Sequence, residues 1–428
     1  MFKELKQNHP KGLYLLFFVE MWERFSYYGM RALLVLYMVQ QLLYSNEKAG
    51  NIYGFYTGFV YLTPILGGYI ADKIIGQRRC ITIGASLMCL GLFMLSSGQE
   101  VLFLPSLFIM VIANGFFKSN ISSVLGILYG NNNDKKDSAF TIFYMGINLG
   151  ALFSPLVCGT LAVKFGFNYG FASAGIGMLI GIMTYKLFEN KLLGNCGLLP
   201  VNKSISERQK YIKPLTKREK KRILALFVLM IFTIIFWTCF EQAGCSLTLF
   251  AEYATNRNFL GHIIPTGYFQ SLNPLYIILL APLMSVLWTK LAHKKLEPTS
   301  VEKFTLALGL MSVAYVIMAL AGNLSETAKV SPLWLILVYL IMTLSELCLS
   351  PIGLSLVSKL APRQFLSLFM GTWFLTSFFG NIFAGFWGGK YGTIESDILF
   401  LTLAGISLIS AVILGCLLPI LKKNLGRL

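Results

Sequence analysis

Apolar residues run along this chain in long blocks separated by short polar clusters. Twelve blocks are long enough to cross a hydrocarbon core of about 30 Å, at 12–43, 50–74, 79–98, 101–129, 138–163, 168–188, 222–251, 267–291, 303–322, 332–360, 364–389 and 396–421. The strongest polar break lies between Glu189 and Arg222, where two prolines and the run Lys217, Arg218, Lys220, Lys221, Arg222 separate six blocks from six more. This pattern predicts an all-α membrane protein of twelve transmembrane helices in two six-helix bundles. Residues 1–188 form the first bundle, 189–221 a basic cytoplasmic linker and 222–428 the second bundle. Thr216 with Glu219, and Thr299 with Glu302, have capping-box spacing and mark helix starts. Small-residue pairs (Gly54 and Gly58, Gly146 and Gly150, Gly385 and Gly389) would let backbones approach closely, or serve plain packing.

The first span breaks the apolar rule along one stripe. Glu20, Glu23, Arg24, Tyr27, Tyr28 and Arg31 recur at three- and four-residue intervals. On a helix they share an arc of about 140°, with Trp22, Phe25 and Gly29 opposite. A charge at mid-bilayer costs about 2.5 to 3.5 kcal/mol, so the stripe must face protein, water or ligand.

Composition agrees with a polytopic chain: of 428 residues, 56% are hydrophobic and 13% charged. The net charge of +17 invites a nucleic-acid reading, but the placement of the cations argues against it. With the N-terminus in the cytoplasm, the inside loops take Lys3, Lys6, Lys11, Lys73, Arg78, Arg79, Lys135, Lys136, Lys290, Lys294, Lys295, Lys303, Lys359, Arg363, Lys422, Lys423, Arg427 and the basic linker. The outside loops keep Lys48, Lys164, Arg257, Lys329 and Lys390. This is the positive-inside bias; it puts both termini in the cytoplasm of a plasma (inner) membrane protein, with affinity for membrane lipid and none for nucleic acid. The eight cysteines are scattered without a C-x-x-C pair and read as core thiols, with neither disulfide framework nor metal site. The first span is charged, long and without a small-residue cleavage site, so it is read as an uncleaved helix.

Seven ionisable residues remain inside the apolar blocks: Glu20, Glu23, Arg24 and Arg31 in the first, Lys118 in the fourth, Glu241 in the seventh and Glu346 in the tenth. Arg31 and Lys118 belong to one half and the acids Glu241 and Glu346 to the other, so pairs could form and break between halves. Separated poles of opposite sign suit a small zwitterion such as a peptide. Amides and aromatics accompany them: Asn148, Asn273 before Pro274, Tyr61, Trp237 and Trp373. Singly, such an Asn serves as interhelical glue as readily as a ligand, and such a Trp as packing. Together they define a mixed pocket.

The run Glu20-Met-Trp-Glu23-Arg24-Phe25-Ser-Tyr27-Tyr28-Gly29 resembles the E-x-x-E-R-F-x-Y-Y-G motif of the proton-dependent oligopeptide transporter family of the major facilitator superfamily. Further likeness lies in Gly67-Gly68 to Asp72, Phe140 to Gly150, Phe236-Trp237 to Glu241-Gln242, and Gly371-Thr-Trp373. Gly68, Asp72, Gly76 and Arg78 also resemble the superfamily's gating-loop motif, where a carboxylate and basic residues latch the cytoplasmic side. The resemblance implies a proton-coupled symporter that imports di- and tripeptides by alternating access, as a monomer, with no cofactor beyond the coupling proton. It implies that Arg31 and Lys118 receive the peptide carboxylate, and Glu346 with Asn148 and Asn273 its amino terminus. Tyr28, Tyr61, Trp237 and Trp373 would line the side-chain pockets. Glu241 would exchange the proton, and Glu20, Glu23 and Arg24 would take part in coupling; alternatively Glu20 and Arg24 are an i,i+4 pair that only neutralises itself.

Three features depart from the family pattern. No span lies between the halves, Ser119 stands where relatives carry proline, and the histidines His9, His262 and His293 all lie near loops. Carboxylates must then carry the proton. The same fold could carry another small anion or zwitterion, such as nitrate or an amino acid. An enzyme is disfavoured, because the chain has no H-E-x-x-H and no phosphate loop.

Overall fold

The computed structural model describes residues 9–130, 133–200, 215–259, 261–362 and 365–425. Lys3, Lys6, Arg363, Arg427 and residues 201–214 of the linker lie outside the described residues. The described chain is almost wholly helical: α1 Lys11–Leu36, α2 Asn46–Ile70, α3 Gln77–Ser96, α4 Glu100–Tyr129, α5 Asn133–Phe165, α6 Phe167–Leu193, α7 Lys217–Phe240, α8 Ser246–Tyr253, α9 Leu272–His293, α10 Ser300–Ser325, α11 Leu333–Leu360, α12 Leu366–Gly388 and α13 Ser396–Leu425. Among the described residues, ten helices are long and apolar enough to cross a membrane, which makes this a multi-pass membrane protein. A two-residue hairpin, β1 Asn258–Phe259 with β2 His262–Ile263, was not anticipated by the apolar pattern.

Helix starts follow the local chemistry. Glu219 accepts from the backbone N–H and hydroxyl of Thr216, both at 2.8 Å, and Glu302 does the same for Thr299 at 2.7 Å. These side chains satisfy donors that a first helical turn leaves unpaired. The seventh apolar block is not one helix. It breaks after Phe240 into a 3₁₀ turn, Glu241–Gly244, and resumes as α8. Carbonyls around the break find side chains instead: Tyr315 donates to Cys239 O at 2.6 Å, Thr248 to Ala243 O at 2.8 Å, and Gln242 Nε2 to Thr238 O at 3.2 Å. In an apolar medium, irregular backbone persists only where such partners exist.

The chain divides into two compact units, Met1–Tyr37 with Phe59–Ser204, and Met38–Gly58 with Ile205–Leu428. In the first, α1 packs on α5 and α6, and α3 on α4 and α6. Its core includes Tyr37, whose ring lies 5.1 Å from that of Phe171 and 5.7 Å from that of Phe103. In the second, α10 packs on α11 and α13, and α7 on α12 and α13. Tyr315 stacks on Phe400 at 6.1 Å and Phe250 meets the same ring at 5.6 Å. The eight cysteines are free; six are buried, Cys196 is half-buried and Cys416 exposed.

Close backbone approach explains the paired glycines. A Cβ on Gly54 would lie 2.8 Å from Asn381 O and 2.9 Å from Gly385 Cα on α12. A Cβ on Gly146 would meet Phe17 O at 3.0 Å, and one on Gly150 would meet Arg24 Cβ at 3.0 Å. Gly309, by contrast, has open space around it. Gly54→Ala should therefore destabilise the protein by about 1 to 3 kcal/mol through overpacking, whereas Gly309→Ala should be neutral or gain up to about 1 kcal/mol of helix propensity. Thermal unfolding of the purified variants in one detergent checks the contrast; equal melting temperatures would contradict it.

Candidate functional site

The stripe of α1 is buried as the periodicity requires. Its apolar back packs tightly: a Cβ on Gly177 of α6 would lie 2.7 Å from the Phe25 ring and 3.0 Å from Trp22. Gly29 lies against Cys158 of α5. These contacts hold the rotation of α1 and turn the charged face toward α4. There Arg24 pairs with Glu23 and, at 3.2 Å, with Glu20. All three are at most 4% exposed, so the i,i+4 pair exists but belongs to a larger cluster. Asn114 of α4, which the sequence reading passed over, donates to Glu23 Oε1 at 3.4 Å. It stands one turn before Lys118 on the same helix, and that i,i+4 spacing was the available signal. Lys118 lies within electrostatic reach of Glu20, and its ammonium is 4.1 Å from the centre of the Tyr61 ring. Arg31 is buried, with its guanidinium carbon 5.8 Å from the centre of the half-buried Tyr28 ring. Both geometries are cation–π contacts that favour an ammonium or guanidinium over lipid. Asn148 is buried and donates to Tyr144 O of its own helix at 2.9 Å.

In the second unit, Asn273 opens α9, where Pro274 costs no hydrogen bond because first-turn N–H groups have no helical partner. Its amide donates to Glu346 at 2.9 Å and to Thr343 at 3.1 Å on α11, so two residues expected to act together are in contact. Glu241, at the helix break, is buried and within electrostatic reach of Glu346. Trp237 stands one turn before the break, edge-on to Phe236 and Phe240. Its indole Nε1 is buried without a hydrogen-bond acceptor among the described residues. Buried indole donors usually have a partner, so this one is available to a bound group. Trp373 is buried against Phe304, ring centres 6.4 Å apart, and over Gly353.

The gating-loop residues take different partners from each other. Asp72 is exposed on a π turn, Ala71–Ile75, and accepts from Gln77 at 2.8 Å. Arg78, expected in a loop, is buried in the first turn of α3. It contacts Glu189 at 3.2 Å, Asn190 at 2.5 Å and Gly194 O at 2.8 Å at the end of α6. Lys186 completes the cluster at 2.6 Å from Glu189. The expected block ended at 188; α6 runs on to Leu193, with Glu189 buried in that last turn between Arg78 and Lys186.

Comparison with known proteins identifies the family. The sequence pattern of the POT family matches residues 78–191 and 196–391. The peptide transporter YePEPT of Yersinia enterocolitica subsp. palearctica serotype O:3 (strain YE-P4) is 34% identical over 489 aligned positions, covering 98% of this chain and 95% of the relative. A di-/tripeptide transporter of Lactococcus lactis subsp. cremoris is 33% identical, covering 86% of this chain and 87% of its own length. A crystal structure of a peptide transporter POT in complex with alafosfalin superposes with a TM-score of 0.92 at 33% identity, covering 98% of this chain and 96% of that one. With a buried E-x-x-E-R cluster and this likeness along nearly its whole length, the chain belongs to the POT family, and is a membrane transporter rather than an enzyme.

Proposed function

We propose that this protein is a proton-coupled symporter that imports di- and tripeptides by alternating access, through twelve spans in two six-helix bundles with both termini in the cytoplasm of the plasma membrane. The observation that carries this reading is the segregation of charge within the apolar spans, buried at Arg31 and Glu241 and half-buried at Lys118 and Glu346. Arg31 and Lys118 lie in the first unit, and Glu241 and Glu346 in the second. A peptide offers a carboxylate to the first pair and an ammonium to Glu346, supported by Asn273 and Asn148. Tyr28, Tyr61, Trp237 and Trp373 serve the side chains; the unsatisfied Trp237 donor supports that assignment for its own ring. The protein works as a monomer surrounded by lipid, and the proton takes the place of a cofactor.

In the proposed cycle, ionised Glu241 pairs with Arg31, and protonation of Glu241 from outside frees Arg31 to hold the peptide carboxylate. Glu20, Glu23 and Arg24, with Lys118, respond to the same proton. Asp72 and Arg78 steady the cytoplasmic ends of the helices. One proton entering through a potential of about 100 mV gains about 2.3 kcal/mol, enough for roughly fiftyfold accumulation of a neutral peptide.

Proteoliposome uptake of a labelled dipeptide, with and without an inward proton gradient, tests the reading directly. Gradient-driven accumulation that unlabelled dipeptides suppress is expected. Accumulation that dipeptides leave untouched but nitrate or an amino acid suppresses would replace the substrate class. Glu241→Gln should keep peptide exchange and lose proton-driven accumulation; unchanged accumulation would remove Glu241 from coupling. Glu346→Gln should raise the KM for a dipeptide with a free amino terminus by about tenfold or more, the worth of a charge-assisted hydrogen bond. An N-acetylated dipeptide should show no such difference between the two proteins.

A further inference from the structure

A second polar site in the second unit is built from residues other than Asn273 and Glu346. Where α9 ends and α10 begins there is an open cavity of about 560 Å³, walled by Met284, Trp288, Leu347 and Ile352, with Lys303 and the exposed Glu297 as the charged part of its lining. The sequence placed Lys303 among the loop cations, but it is only 8% exposed. Its ammonium donates to Glu297 Oε1 at 2.7 Å and stands 4.5 Å from the centre of the Trp288 ring. An ammonium has three donors, and Glu297 takes one. The second carboxylate oxygen of Glu297 accepts nothing from the described residues. The polar end thus offers a spare cationic donor beside a spare anionic acceptor, and the two charges cancel.

The surroundings give the depth of this cavity. Exposed Lys290, Lys294 and Lys295 cluster beside it, as cations do where a span leaves the bilayer, and Trp288 sits at the level that indole rings favour at such a boundary. We propose that the cavity binds a phospholipid whose headgroup carries both a phosphate and a primary ammonium, that is, a phosphatidylethanolamine. The phosphate accepts from Lys303 and the ammonium donates to Glu297. The glycerol and upper acyl carbons lie along Met284, Trp288, Leu347 and Ile352. A phosphatidylglycerol would leave its phosphate facing Glu297 uncompensated. A phosphatidylcholine matches the charges, but its trimethylammonium donates no hydrogen bond.

Native mass spectrometry of the full chain in detergent, titrated separately with dioleoyl-phosphatidylethanolamine, -phosphatidylglycerol and -phosphatidylcholine, tests this. Occupancy by the ethanolamine lipid is expected at about tenfold lower concentration than by the other two, the worth of one charge-assisted hydrogen bond. Glu297→Gln should erase its advantage over phosphatidylcholine. Ser285→Trp, which puts an indole into the apolar part of the cavity and leaves the charge pair in place, should weaken lipid binding by about tenfold or more while the protein still elutes as a single species. Equal occupancy by all three lipids, or an ethanolamine preference that persists in both variants, would overturn the proposal. So would soluble phosphoethanolamine binding as tightly as the lipid, since the apolar wall would then contribute nothing.

Discussion

An ionised side chain within a bilayer must find its counter-charge inside the protein, because neither lipid nor bulk water is there to supply it. That requirement orders the buried polar structure of this chain. Arg24 joins two glutamates of its own helix, Arg78 reaches Glu189 at the end of another, and at the edge of a span the buried Lys303 reaches the exposed Glu297. Each pair also ties down an element: α1 to itself and, through Asn114, to α4; α3 to α6; the start of α10 to the segment before it. The pairs differ in what they leave over. Both oxygens of Glu23 are engaged, one by Arg24 and one by Asn114. Glu20 keeps a buried oxygen, and Arg24 a buried nitrogen, without a hydrogen-bond partner among the described residues. Such unspent capacity is what a cluster needs if a proton or water is to pass through it.

Charge pairing at this precision depends on how closely helices approach. Glycine supplies the closeness where lipid provides no hydrophobic drive between helices. Gly150 brings α5 against the backbone of α1 at Arg24, and Gly177 makes room on α6 for the Trp22 and Phe25 rings. The acid cluster is then aimed by shape at its back rather than by attraction at its front. In the second unit the same end is reached by breaking a helix. The turn at Glu241 shifts its carboxylate off a regular helical path, and Tyr315, Thr248 and Gln242 satisfy the backbone around it. Broken helices with partnered ends recur at transporter binding sites for this reason.

Much of this was legible in the chain itself. Apolar blocks, capping boxes and the stripe of α1 are local properties, since each depends on residues within a turn or two of one another. Hydrophobicity, side-chain period and cap chemistry were enough to state them. The motif that places the chain in its family is equally local, and its burial follows from the cost of the charges it carries. Partnership was not legible. Arg78 and Glu189 are 111 residues apart, and nothing in the neighbourhood of either names the other. Asn114 looked like any intramembrane amide until α1 was laid beside it. Lys303 read as a loop cation because cations cluster at span ends, while Glu297 and Trp288 drew it inward. The break at Glu241 was not legible within the seventh apolar block, because its stability comes largely from side chains on other helices. The sequence by itself determined which segments are helices and which face of each carries charge. Only the tertiary structure decided which charges meet and where a helix yields, because those outcomes depend on contacts between segments that local patterns do not encode.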